Sequence, residues 1–226
     1  MAGAAGLTNS RRVQTGSDPV AQGLVASFDR PGGNFTGVST LVSELTGKIL
    51  SLTRELVPSA TKIGIISRGR LPDREEPIQE IDAREAAVTL GMQLSLFRAG
   101  SDREIENAFA ILTEQRVDAI HVLNAPFFVT RARLIADLAS RHKLPATYTR
   151  REYTEAGGLM SYGYDVADAY QQLGNYTGRI LTGTSPAELP VFQPTRLQLI
   201  LNLKTAKALG LTIPRNLLAL ANEVIE

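Results

Sequence analysis

Few side chains in this 226-residue sequence could do covalent chemistry. There is no cysteine, which excludes thiol nucleophiles, disulfides and thiolate zinc sites. Of the two histidines, His121 lies inside the apolar run AIHVLN, where a hydrogen-bonded core histidine is the ordinary reading. His142 ends a helical pattern, where a cation suits the helix dipole. Neither is flanked by carboxylates at a fixed spacing, so acid–base catalysis has no constellation to use. The phosphate loop G-x-x-x-x-G-K-[ST], the nucleophile elbow G-x-S-x-G and the metal helix H-E-x-x-H do not occur. Arg30-Pro31-Gly32-Gly33-Asn34 is turn chemistry without dinucleotide-loop spacing. These absences point away from an enzyme, and no metal or cofactor is expected.

Binding chemistry is better represented. In Gly16-Ser17-Asp18-Pro19-Val20, Ser17 or Asp18 can serve as an N-cap, with Pro19 at the first helical position. The free N–H groups of such a start could also hold a ligand carboxylate. Asn124, Phe127 and Phe128 follow one strand pattern, and Tyr148, Arg151 and Glu152 follow the next. Aromatics with a few convergent polar groups are the usual makeup of a small-molecule pocket. The competing reading is that the two phenylalanines are core packing.

The elements that must position these residues alternate. Short β-rich runs at 62–67 (KIGIIS), 94–98, 119–124, 146–149 and 158–163 are separated by helical patterns, which predicts βαβ units and a doubly wound α/β fold with a parallel sheet. A helix over 43–57 carries Leu45, Ile49, Leu52 and Leu56 on one stripe and stops at Pro58. Ser101 and Glu104 form a capping box opening a helix to about 116, with Ile105, Ala108, Phe109 and Leu112 inward. Further helices are expected over 130–142 and 165–182. The charged loop RGRLPDREE follows the 62–67 strand at a carboxyl end, where open α/β sheets bind ligands. The 24 basic and 23 acidic side chains make no electrostatic case for nucleic acid or an anionic membrane. No apolar run reaches the length of a membrane span, and the first residues do not read as a secretory signal.

Three long blocks, GSDPVAQGLVASFDRPGGNFTGVST, YTRREYTEAGGLMSYGYDVADAY and FQPTRLQLILNLKTAKALGLTIPRNLLALANEVIE, resemble the ABC-transporter substrate-binding family that includes tryptophan and tyrosine binders. The resemblance covers nearly all of residues 15–226 and implies a type I periplasmic binding fold. Two α/β lobes would close on a small solute in an interlobe cleft and then dock on a membrane permease, with no bond made. It implies Ser17 and Asp18 on one wall, Asn124, Phe127, Tyr148 and Glu152 on the other, and Ser161 and Tyr162 near the hinge. For an amino-acid ligand the aromatics would stack its side chain, Glu152 or Asp18 would pair its ammonium, and helix N-terminal amides would take its carboxylate.

Against the family pattern, the leader and the first βα units of the first lobe are missing before Gly16, so the resemblance implies an N-terminal truncation. Residues 1–42 and 158–188 are then a partial first lobe, and 43–157 with 189–226 a second lobe. Uncovered apolar faces at Val20, Leu24, Val25 and Phe28, and at Tyr170, Leu173 and Ile180, would favour a homodimer. The family is periplasmic; as written, the chain would stay in the cytoplasm. The alternatives are a cytoplasmic ligand-sensing module of the same fold, a truncated product that no longer binds, or a small α/β enzyme, which the missing phosphate motifs disfavour.

Overall fold

A computed structural model describes residues 11–15, 18–40, 45–69 and 77–226. The chain divides into two compact units, Met1–Leu41 with Tyr164–Leu197, and Val42–Gly163 with Gln198–Glu226. These boundaries differ from those read in the sequence at 157/158 and 188/189. Residues 160–163 and 198–202 lie in strands of the larger unit's sheet.

In the smaller unit β1 (Arg11–Thr15) pairs in parallel with β2 (Phe35–Ser39). Val38 forms a further bridge to Phe192. The helix expected over 165–182 is α7 (Val166–Leu181), capped by the Asp165 carboxylate on the Ala167 N–H at 2.9 Å. It ends at Gly183, whose φ of +104° is one that side chains resist. Its Tyr176 and Ile180 pack with Leu189. Of the apolar residues expected to lie uncovered, Val25 and Ile180 are buried and Leu24, Phe28 and Leu173 half-buried. Val20 and Tyr170 are exposed.

The larger unit holds a seven-stranded sheet in the order β4-β3-β5-β6-β7-β8-β9. The strands are β3 (Lys62–Ser67), β4 (Gln93–Arg98), β5 (Ala119–Val122), β6 (Ala146–Tyr148), β7 (Met160–Tyr164), β8 (Leu197–Asn202) and β9 (Glu223–Ile225). The pairs β3–β4, β3–β5, β5–β6, β6–β7 and β8–β9 are parallel. The helices are α1 (Leu45–Leu56), α2 (Ile78–Thr89), α3 (Asp102–Glu114), α4 (Pro126–Val129), α5 (Ala132–Arg141), α6 (Arg151–Glu155), α8 (Leu203–Ala208) and α9 (Arg215–Leu220).

Strand alternation sorts the core into two layers. Ile63 and Ile65 of β3 face one cluster with Leu52 and Leu56 of α1, Ala83 of α2 and Leu217 of α9. Ile66 faces the other, with Phe109 and Leu112 of α3 and Ile135 of α5. Gly64 points at Leu112 so closely that a Cβ would lie 2.7 Å from it. The missing side chain sets how near α3 lies to the sheet. The capping box at Ser101 forms, with a variation. Its hydroxyl accepts the Glu104 N–H, while the Glu104 carboxylate accepts the Gly100 N–H at 2.6 Å. These bonds hold the exposed Glu104 below the usual carboxylate range.

Candidate functional site

From β3 the chain moves outward to β4 and then returns past β3 to β5, so the winding direction reverses between β3 and β5. At such a reversal the loops leaving the two carboxyl ends splay apart and leave a crevice, the usual ligand position in open α/β sheets. At this reversal stand Ser67, which ends β3, Arg68 after it, and the segment from Asn124 to Phe127 after β5.

Both loops are anchored from beneath. Gln79 of α2 grips Asn124 by its backbone, its Oε1 accepting the Asn124 N–H at 3.0 Å and its Nε2 donating to the Asn124 carbonyl at 3.2 Å. The Asn124 side chain makes no hydrogen bond among the described residues. Ser67 donates its hydroxyl to Glu80, and Arg98 adds a two-pronged pair to the same carboxylate at 3.2 and 2.7 Å. Glu80 is fully buried, and a buried carboxylate is tolerable only when paired and hydrogen-bonded in this way. Phe127 stands half-buried, with the Arg131 guanidinium 3.9 Å and the Arg68 guanidinium 4.5 Å from its ring centre. Arg131 is also paired with Asp102.

The next loop, after β6, brings Arg150 and Glu152 to the same edge as a charge pair. Partial burial pushes the Glu152 carboxyl up, but the Arg150 hydrogen bond, aided by the Glu152 N–H and the charges of Arg150 and Arg151, outweighs it and leaves it below its usual value. Arg151, which the sequence placed beside it, points instead to Glu155 and Glu223 at 2.8 and 3.1 Å.

The structure separates the remaining candidates. Tyr148 is fully buried in β6, its ring stacked on Tyr153 at 4.4 Å and 2°. Ser161, opposite Tyr148 in register on β7, is also buried. Neither offers surface to a solute. Tyr162 points to the other sheet face and is half-buried against the α1 cluster. Thus Asn124, Phe127 and Glu152 share the carboxyl edge with an open side chain, while Tyr148 and Ser161 belong to the interior beside it.

In the smaller unit, Asp18 is exposed and accepts the Val20 and Ala21 N–H groups at 2.8 and 3.3 Å. It caps a single turn rather than the start of a helix, because Leu24 N–H closes back on Pro19 O at 2.9 Å and Gly23 turns the chain with φ +67°. Ser17 lies outside the described residues.

Sequence reasoning missed Glu80, Arg98 and Gln79, which hold the loops. Glu80 and Gln79 sit in a helix of ordinary polar appearance, and only strand order brings them under the crevice. A groove of about 550 Å³ opens at the opposite edge, near Leu144 and Gly158 between α5 and α8. Two of its charged residues, Arg133 and Asp137, pair with each other. It is remote from the winding reversal. Among the described residues no three His, Cys, Asp or Glu side chains gather as a metal site, and no helix is long and apolar enough to cross a membrane. His121 is a core residue: its Nδ1–H donates to the Thr147 carbonyl at 3.0 Å, and burial, partly opposed by that bond, lowers its pKa to about 4.

The model of the ABC transporter substrate binding protein family matches residues 12–225. A tyrosine-binding protein of Clostridioides difficile is 27% identical over 195 residues, 86% of this chain and 55% of that protein. The chain therefore spans about half the length of that relative. Among solved structures, the ABC domain of Streptococcus pneumonia in complex with L-Trp superposes with a TM-score of 0.79 at 26% identity, over 96% of this chain and 75% of that one. A conserved domain protein of Vibrio cholerae superposes with a TM-score of 0.76 at 26% identity, over 92% and 68%. The α/β architecture is that of type I periplasmic binding proteins.

Proposed function

This chain belongs to the ABC transporter substrate-binding protein family, and from that premise we propose that it binds an aromatic amino acid in an interlobe cleft and delivers it to the permease of an importer, outside the cytoplasmic membrane. The role is capture by closure, with no covalent step. One observation carries the reading: the loops after β3 and β5 flank the winding reversal and are held from below by Glu80 and Gln79, with Asn124 and Phe127 there and Glu152 on the same carboxyl edge after β6. Phe127 with the guanidiniums against its ring offers an aromatic and cationic surface, the Asn124 amide an uncommitted donor and acceptor, and the ionised Glu152 a partner for an ammonium. The tyrosine and tryptophan ligands of the relatives support the same class.

The test is a thermal melt against the common amino acids. A ligand at 100 times its dissociation constant adds roughly 2.7 kcal/mol to the folded state. For a chain of this size that is about 5–11 °C in Tm. Tryptophan, tyrosine or phenylalanine should produce it. A cooperative melt unmoved by all three would overturn the assignment.

A further inference from the structure

Among the described residues of the carboxyl edge, three arginines are held by carboxylates. Arg98 is paired with Glu80, Arg131 with Asp102, and Arg150 with Glu152. Arg68 has no hydrogen bond or ion pair among the described residues. Glu104, close enough to feel its charge, is committed to the Gly100 N–H and the Ser101 hydroxyl.

An unpaired surface arginine is usually a mobile solvated charge. Arg68 is instead seated. Its guanidinium lies 4.5 Å from the Phe127 ring centre. Its Nη1 occupies the space a side chain on Gly100 would take, 2.5 Å from where a Cβ would stand. The backbone on either side is held: Ser67 bonds Glu80 on one side, and on the other the Gly69 N–H donates to the Ser67 hydroxyl at 3.0 Å, with φ +82° turning the chain away. The charge is thus positioned at the winding reversal, beside the ring, with its donors unspent.

We propose that Arg68 receives the carboxylate of the amino-acid solute. This rests on the amino-acid reading above and changes one part of it. The sequence suggested helix N-terminal amides for that group, but the Val20 and Ala21 N–H groups already bond Asp18. A guanidinium meets a carboxylate through two parallel N–H···O bonds, and it does so most strongly where the cation needs no withdrawal from another partner. With Arg68 on the carboxylate and Glu152 exchanging Arg150 for the ammonium, the two ends of a zwitterion have opposite partners on one carboxyl edge, on loops with that of β5 between them.

The test crosses a protein change with a ligand change. Wild type, Arg68→Gln and Arg68→Lys are titrated calorimetrically with L-tryptophan and with L-tryptophan amide, which keeps the ammonium and lacks the anionic group. Arg68→Gln should weaken L-tryptophan on the order of 10- to 100-fold while leaving the amide nearly unchanged, as expected for a hydrogen bond to a charged group. Arg68→Lys should recover part of the loss. Because Arg68 is exposed, all three proteins should share one melting temperature without ligand. Equal weakening of both ligands, or none of either, would overturn the role of Arg68 and leave the amino-acid reading standing. Wild type that binds neither compound would overturn both.

Discussion

The buried imidazole of His121 makes the larger unit sensitive to mild acid, in a pH window set by one residue. Its Nδ1–H is directed at the Thr147 carbonyl, so a second proton must go to Nε2 inside a packed core. Burial holds the folded pKa at about 4, against 6.5 for an ordinary histidine. Above pH 6.5 both folded and unfolded forms are neutral and the residue makes stability independent of pH. Below it the unfolded chain takes up a proton that the folded chain refuses, so stability falls until the pH reaches the folded value. The full difference is about 3 kcal/mol, of which about 2 kcal/mol is lost between pH 7.5 and 5. Urea unfolding at half-unit pH steps measures it. Wild type should lose about that much across the interval, while His121→Asn, which keeps a donor near Nδ1 but cannot titrate, should give a nearly flat line from a lower starting stability. Parallel pH profiles for the two proteins would refute the assignment of the acid sensitivity to His121. The carboxylates held low, Asp118 and Glu152, lose their contribution at more acidic pH and leave this window largely clear.

Two further outcomes follow from packing. Gly163 lies so close to the chain after β6 that a Cβ would stand 2.0 Å from the Thr149 carbonyl oxygen, and backbone cannot step aside as a side chain can. Gly163→Ala should therefore cost about 1–3 kcal/mol or more, read as a Tm lower by roughly 2–12 °C; an unchanged Tm would mean that the two strands part freely there. The Tyr148 hydroxyl is buried without a hydrogen-bond partner. Tyr148→Phe should keep the stacking on Tyr153, relieve a desolvation cost of about 1–3 kcal/mol and leave solute affinity unchanged. A weaker affinity would show that Tyr148 reaches the ligand.

How much was legible in the sequence differs by element. Lys62–Ser67 reads as a strand because three isoleucines crowd a six-residue run that ends at a charged loop, and the structure places β3 over the same six residues. The stripe Ile105, Ala108, Phe109, Leu112 reads as a buried helix face, and all four are buried. Both signals are local, carried by side-chain period and by caps within four residues. Local signals failed where the chain is short or bent. The turn at Asp18 was read as a helix start because a cap and a proline specify only the first turn, and Gly23 ends it. The helix read over 130–142 is α5 (Ala132–Arg141), while the single turn α4 (Pro126–Val129) just before it was not singled out, because four residues carry no period.

The carboxyl-edge position of three candidates was also legible: Asn124, Phe127 and Glu152 were marked by their place after strands. Their company was not. Whether Tyr148 faces a ligand or a core depends on which side of β6 it occupies and what packs there, and Tyr153 decides that. Whether Arg68 is an idle charge or a poised one depends on how many carboxylates around it are already taken. Glu80 lies 12 positions from Arg68, Asp102 lies 34 and Glu152 lies 84. Composition, period and capping act between near neighbours and determined the α/β elements and their order. Strand order and charge pairing act between residues far apart in the chain, so the crevice at the β3–β5 reversal and its unspent guanidinium were decided only by the folded structure.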